Sequence, residues 1–423
     1  MTLPIDPTSQ AKLAADGLRL DLVDTSDADV FGTWLRASTR GFHGGEPSDE
    51  LVAAMAASIA YRRTTGVWDA SASEPLWPVG TVDGFESPLT VPGGAQLPAW
   101  AVSMVTVAPT HRRGGVAREL LEAELRTAVA LGLPMAMLTV SESTIYHRFG
   151  FAPAALAADV TINTHRAHYT GPVPGGRVHL MAIAEARALA DGLYATWRVT
   201  SPGEMEVWPR RWDQIFGIAD EKDTSKQPRA VRYDDASGVT QGVAVYRMKE
   251  NGHDFTNHTA QVEYLLANTP DAYAALWRFL LELDLTSTVR AELRRVDEPV
   301  RWLVSDFRAV KVETYDHLWL RILDVPTALN AREFYAPLDL VIEVTDLQGH
   351  AAGRYHVGAT TTRVETTPDV TMTVNELSAI YLGGVSATTL HRAGRITEHT
   401  PGTVAQLDAA FTSPTTPWLS VWF

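Results

Sequence analysis

Apolar and polar positions along the chain switch repeatedly between a period of two and a period of three to four, the mark of interleaved strands and helices. Residues 18–23, LRLDLV, alternate as a strand does, and DADVFGTWLRAS (27–38) follows at helical spacing. A turn-rich segment, RGFHGGEPSD (40–49), leads into an alanine-rich helix over 50–63. Within it LVAAMAASIA (51–60) is the longest apolar run; it is far short of the ~20 residues of a membrane span and reads as a core helix. Ser, Pro and Gly break 70–98 into short strands and loops. AWAVSMVTV (99–107) is a strand, and the helix 115–131 sets Ala117, Leu120, Leu121, Leu125 and Ala128 on one face. PMAMLTV (134–140) is another strand, and SESTIYHRFGFAP (141–153) opens on a serine suited to cap a helix.

A second α/β segment, rich in tryptophan, runs over roughly 156–305 and includes the helix DAYAALWRFLLELD (271–284) and a polar loop, DEKDTSKQP (220–228). From about 313, DHLWLRILDVPTALNAR leads to alternating strands such as LDLVIEVTD (338–346), then to helices around VNELSAIYLGG (374–384) and TVAQLDAAF (403–411). The last residues, TTPWLSVWF, are apolar where chain ends are usually frayed and polar, so a docked tail is expected. No repeat at solenoid spacing is present. With 423 residues, about three domains are expected.

Composition narrows the chemistry. The formal net charge of −14 argues against nucleic-acid binding, which relies on a cationic surface. Residues 1–155 carry 11 Lys/Arg against 17 Asp/Glu, a net −6, so charge singles out no domain. The absence of cysteine removes disulfides, thiolate metal sites and a cysteine nucleophile together, and leaves direct group transfer or another nucleophile. MTLPIDPTSQAKL has neither the basic nor the apolar region of a signal peptide, and a cytoplasmic protein is expected.

The informative stretch is VTVAPTHRRGGVARELL (105–121), where a strand passes through a Pro turn, two arginines and two glycines into a helix. The first turn of a helix leaves about four amides unpaired and concentrates partial positive charge there. Glycines let a pyrophosphate approach those amides, and arginines add charge-assisted bonds. Arg112-Arg113-Gly114-Gly115-Val116-Ala117 fits R-x-x-G-x-A in that context. Gln214 to Ala219 fits the same spacing but follows a helix-like segment, so it is set aside. Neither a dinucleotide fingerprint nor a Walker loop is present.

Strand, R-x-x-G-x-A, helix, strand and then Tyr146-His147-Arg148-Phe149-Gly150-Phe151 together resemble the GNAT acyltransferase superfamily. Adding the LWLRILDVPTALNAR element, the YLGG segment and the terminal Phe423, the chain resembles the Eis (enhanced intracellular survival) aminoglycoside acetyltransferases over nearly its whole length. The resemblance implies an α/β (α+β) chain of two tandem GNAT-like domains followed by a sterol-carrier-protein-like α+β C-terminal domain. The expected limits are 1–155 for the catalytic domain, 156–305 for a second without a cofactor loop, and 306–423 for the third. It also implies acetyl-CoA as co-substrate without a metal, a small-molecule amine acceptor and a homo-hexamer. Val105, Thr106 and Val107 would lend backbone groups to the pantetheine arm. Arg112, Arg113, Gly114, Gly115, Val116, Ala117 and Arg118 would surround the pyrophosphate, with Ser141 and Glu142 touching the cofactor. Tyr146 would be the general acid; a phenol of ordinary pKa ~10 is protonated at neutral pH without adjustment. The general base would be the α-carboxylate of Phe423.

Two departures bear on the acceptor: Trp422 stands where an acid is expected, and Phe42-His43-Gly44-Gly45 brings no acid after the first helix. Cation–π contacts offer a substitute. Transfer to protein lysines or small polyamines, and a non-catalytic acyl-CoA-responsive or lipid-binding module, are the alternatives. His165 with His168 and His253 with His258 read as surface histidines rather than metal ligands. Asp24, Asp27 and Asp29 read as helix caps and dipole partners, and Trp197, Trp208 and Trp212 as core.

Overall fold

A computed structural model describes residues 4–219, 228–252 and 254–423. The polar loop expected at 220–228, except Pro228, and His253 lie outside the described residues. Twelve strands make one sheet: β1 (Leu18–Leu22), β2 (Arg63–Asp69), β3 (Gly80–Thr90), β4 (Gln96–Val107), β5 (Met135–Thr139), β6 (Ala152–Asn163), β7 (Arg177–Met181), β8 (Arg229–Asp234), β9 (Thr240–Lys249), β10 (His258–Ala267), β11 (Thr286–Arg294) and β12 (Val310–Ile322). Their order is β1-β2-β3-β4-β5-β12-β6-β11-β10-β9-β8-β7. A separate sheet, β15-β14-β13-β16-β17, is built from β13 (Leu340–Thr345), β14 (Gly353–Val357), β15 (Thr362–Val364), β16 (Val370–Thr373) and β17 (Ile396–Glu398).

Several readings of the sequence change here. The region 70–98 contains one long buried strand, β3, rather than several short ones. Its Pro88 faces Pro98 of β4, and these paired breakers made a continuous strand look interrupted. The apolar run 51–60 is helical, yet in the helix Asp49–Ile59 only Val52 and Ile59 are buried, so it covers a neighbour rather than filling a core. Asp27 does cap its helix, accepting from the amides of Asp29 and Val30. Residues 306–322, grouped with the third domain from sequence, include β12, which is inserted antiparallel between β5 and β6 in the large sheet.

That insertion governs the site. From β12, Arg321 is fully buried and bonds the Phe149 carbonyl through Nε at 2.8 Å, the Ile322 carbonyl at 2.5 Å and Asp346 Oδ2 at 2.7 Å. Gly150 is obligatory beside it, since a Cβ there would lie 2.4 Å from Arg321 Nε and its φ is +83°. Asn375 of the third domain donates to the carbonyls of His147 and Phe151, each at 2.9 Å. The segment carrying Tyr146 is thus held from two other parts of the chain.

The tail docks as expected. Its Trp418 donates its amide to Pro202 O and its indole N–H to Leu293 O, both at 2.9 Å. Gly203 at φ +96° is needed there because a Cβ would sit 2.8 Å from Trp418 O. Ser420 donates to Glu204 Oε2 at 3.1 Å, inside a buried cluster that also includes Tyr194. Buried His317 of β12 bonds Val421 O through Nε2 at 3.0 Å. Facing a carbonyl, Nε2 must carry the proton.

Two outcomes follow from these contacts. Arg321→Ala leaves the Asp346 carboxylate buried and unpaired and is expected to cost on the order of 3–5 kcal/mol, read as a lower denaturant midpoint; an unchanged midpoint would show the pair to be dispensable. His317 is pushed down to about 4, chiefly by burial with Arg211 adding, while the bond to Val421 opposes. The unfolded chain takes up this proton near the ordinary 6.5, so the contribution is complete above about 6.5 and is lost as pH falls toward 4. His317→Gln keeps an N–H donor without titrating and should flatten thermal stability over that window; an unaltered slope would remove His317 as its source.

Candidate active site

The strand-to-helix loop is shaped as a concave turn. Arg113 adopts φ +66° and Gly115 φ +87°, and alternation into this region turns successive amides toward one point. The amides of Arg112, Arg113, Gly114 and Gly115 meet no backbone acceptor among the described residues. A Cβ on Gly115 would meet nothing within 4 Å, so the space in front of it is open. The helix Val116–Ala130 begins directly behind and adds its dipole. At Gln214–Ala219, by contrast, the amides of Phe216, Gly217, Ile218 and Ala219 are all bonded to carbonyls at a helix end, which leaves nothing for a phosphate.

A cavity of about 1080 Å³ opens from this turn. Of the residues expected at the site, Val105, Thr106, Val107, Arg112, Arg113, Gly115, Val116, Ala117, Arg118, Ser141, Glu142 and Tyr146 line it, whereas Gly114 and Phe423 do not. One wall is the free edge of β4. Strands β4 and β5 are parallel but register only at Trp100–Ala136 and Ala101–Met137, then part company. Beyond the split, β4 bulges against β3, with Met104 at φ +55°. Thr81 Oγ1 pins that bulge, 2.8 Å from Met104 O and 2.7 Å from Thr106 Oγ1. Val105 to Val107 therefore present backbone groups on an edge that no strand covers. These features fit an extended ligand that ends in a pyrophosphate.

Tyr146 closes the helix Ser143–Tyr146 and is buried, its ring edge-on to Phe151 at 6.4 Å. Burial raises its pKa above the ordinary 10.0, with Glu142 adding and the Ser141 hydroxyl opposing. Its proton is therefore retained across the neutral range.

The tail reaches this region at the end of β5. Thr139 Oγ1 donates to the Phe423 main-chain oxygen at 2.9 Å, and the Phe423 ring lies edge-on to Phe85 at 6.1 Å. Phe85 belongs to a cluster that no motif signalled. The Arg62 guanidinium lies 4.0 Å from its ring centre, 4.7 Å from that of Trp208 and 5.5 Å from that of Tyr61. Arg62 also pairs with Asp83 at 3.2 Å, and Asp83 is completely buried. Burial raises the Asp83 pKa against the pull of Arg62. Asp83 Oδ1 and Arg62 Nη2 have no hydrogen-bond partner among the described residues. Trp208 thus belongs to this cluster, while Trp212 is core and Trp197 packs against it. Trp422 is turned onto His317, ring centres 4.4 Å apart. Among the described residues no group of three or more His, Cys, Asp or Glu is placed to hold a metal ion, and no helix is long and apolar enough to cross a membrane.

Comparison with known proteins agrees with this geometry. Acetyltransferase (GNAT) domain families match residues 23–154 and 203–322, and a sterol carrier protein domain family matches 325–420. An uncharacterized N-acetyltransferase of Streptomyces griseus is 35% identical over 401 residues, covering 91% of this chain and 95% of that protein. N-acetyltransferase Eis of Mycobacterium tuberculosis is 33% identical over 340 residues, 77% of this chain and 81% of that one. The crystal structure of Eis1 from Mycobacterium abscessus superposes with a TM-score of 0.83 at 30% identity, covering 96% of this chain and all of the other. Two GNAT domains, a sterol-carrier-like domain and this degree of identity place the chain in the Eis family of GNAT N-acetyltransferases, an acetyl-CoA-dependent acyltransferase.

Proposed function

We propose that the protein transfers the acetyl group of acetyl-CoA directly to amines of an aminoglycoside-like polyamine, at several positions of one molecule. The observation that carries this reading is the single cavity joining the amide-lined turn to the buried Tyr146 phenol, with the docked tail at the neighbouring end of β5. Acetyl-CoA supplies an activated thioester. The turn Arg112–Arg118 holds its charged end and the free edge of β4 orients the arm. Tyr146 holds a proton at Oη for the departing sulfur, which its raised pKa keeps in place.

The base is the Phe423 carboxylate. An α-carboxyl of ordinary pKa ~3.5 is a weak base in water, so its value here lies in placement and in a half-buried setting. Thr139 orients it from one side. An acceptor ammonium is drawn to this carboxylate and gives up a proton to it before attack. With Trp422 in place of an acid, Arg62 already seated on the nearby aromatic faces and Asp83 buried against it, attraction for a polycation rests on Phe423. A homo-hexamer, a cytoplasmic setting and three domains, the third beginning after β12 rather than at 306, belong to the same proposal, supported by likeness to the family.

Mass spectrometry of kanamycin incubated with acetyl-CoA and the protein is expected to show one acetyl addition, then two or more. No addition, with acetyl-CoA still bound, would move the acceptor to another class of amine. Extending the chain by one residue after Phe423 displaces the carboxylate and should lower kcat by roughly 10²–10⁴-fold, while acetyl-CoA binding is unchanged. Undiminished turnover would take the base away from Phe423.

A further inference from the structure

One wall of the cofactor cavity belongs to neither acetyltransferase domain. Leu347 and Gln348, in the turn between β13 and β14 of the third domain, line it together with Glu122 and Arg148. The turn is rigid. Asp346 accepts from Arg321 at 2.7 Å, from the Ala351 amide at 2.9 Å and from the Gln348 amide at 3.1 Å. Gly349 takes φ +80° to complete it. At its tip Leu347 is 99% exposed. A single exposed leucine is ordinary on a surface. This one projects from a pinned turn at the rim of a cavity built for a cofactor. Beside it, Gln348 Oε1 is buried with no hydrogen-bond partner among the described residues.

Position along the cavity identifies what would meet this wall. Tyr146 marks the reacting end and the turn Arg112–Arg118 the pyrophosphate. A Cβ on Gly41 would lie 2.5 Å from Thr106 Cβ, which puts the Gly41–His43 end beside β4 and hence beside the arm. The region left for the nucleotide is bounded by Arg118 and Glu122 of the cofactor helix, by Arg148 and by the third-domain turn. Arg112, Arg113, Arg118 and Arg148 all line the cavity, and none is paired with a carboxylate among the described residues. Two or three suffice for a pyrophosphate, which leaves Arg148 available for a further phosphate.

We propose that the third domain completes the 3′-phosphoadenosine subsite, with Leu347 packed on the adenine face, the Gln348 side chain turning so that its Oε1 accepts from the exocyclic amine, and Arg148 facing the 3′-phosphate. This rests on the reading of the cavity as the acetyl-CoA site. A planar base carrying one amine donor satisfies both otherwise unexplained features of the turn, an uncovered apolar side chain and an unpaired acceptor. The sterol-carrier-like domain would then take part in cofactor recognition as well as in holding the Tyr146 segment.

Calorimetric titration of the full chain with acetyl-CoA and with S-acetyl-4′-phosphopantetheine, which lacks the 3′-phosphoadenosine, separates the possibilities. Leu347→Ala, at a fully exposed position, leaves the fold intact. It should weaken acetyl-CoA about five- to tenfold and leave the truncated ligand unaffected. Arg148→Met should abolish the preference for acetyl-CoA over its 3′-dephospho form. Leu347→Ala binding acetyl-CoA as tightly as the parent, or losing both ligands in parallel, overturns the subsite. A parent protein that binds neither ligand overturns the reading of the cavity itself, and this inference with it.

Discussion

Arg321 is the point through which three parts of the chain are tied together. It sits on a strand that separates β5 from β6, and it bonds the segment bearing Tyr146 on one side and the third domain's Asp346 on the other. A guanidinium with no exposure is costly to bury unless its donors are met, and carbonyls and a carboxylate meet them here. Arrangements that leave Phe149 or Asp346 elsewhere strand a buried charge, so the contact selects one docking of the domains. Four residues earlier on the same strand, His317 holds the tail. One strand thus anchors both the proposed acid and the proposed base.

This economy explains why the large sheet is continuous. With β12 between β5 and β6, the acetyltransferase halves do not meet as separate bodies with a polar seam; they share hydrogen-bonded strands throughout. Relative motion of the halves would break the β12 ladders rather than slide an interface. Geometry across the site is therefore a property of the backbone, and side-chain contacts such as Thr139 to Phe423 refine it. Placement within about an ångström matters more for a weak base than for a strong one, because proximity supplies what intrinsic basicity does not.

Local structure was legible in the sequence and long-range pairing was not. The strand-to-helix turn, its helix and Tyr146 lie within 42 residues, Val105 to Tyr146, and follow rules of spacing, capping and glycine conformation that act over a few residues. The rival match at 214–219 was rejected for its helical context, which the bonded amides there bear out. Arg321 meets Phe149 across 172 positions and His317 meets Val421 across 104, and no local pattern encodes such pairings. No motif singles out Asp83 or Arg62: Asp83 lies in 70–98, which reads as short strands and loops because of its prolines, and Arg62 ends the stretch that reads as a helix over 50–63. The same limit applied to β12, whose apolar LWLRI looked like the start of a new domain because its partners β5 and β6 lie more than 140 residues earlier.

The second acetyltransferase half contains a parallel split of its own. Strands β10 and β11 pair in parallel only from His258 to Val262, and β10 then shifts register against β9, much as β4 shifts against β3. Around that split only a small space of about 160 Å³ remains, and Trp418, Ser420 and Trp422 of the tail form part of its wall. The Trp418 indole donates to Leu293 O on β11, and Arg294 lies 5.1 Å from the same ring. An open strand edge needs its polar groups satisfied. In the first half the proposed occupant of that edge is the arm of acetyl-CoA; in the second it is the chain's own tail. The two uses are linked, because the segment that satisfies the second edge is the one that continues to β5 and delivers Phe423 to the first.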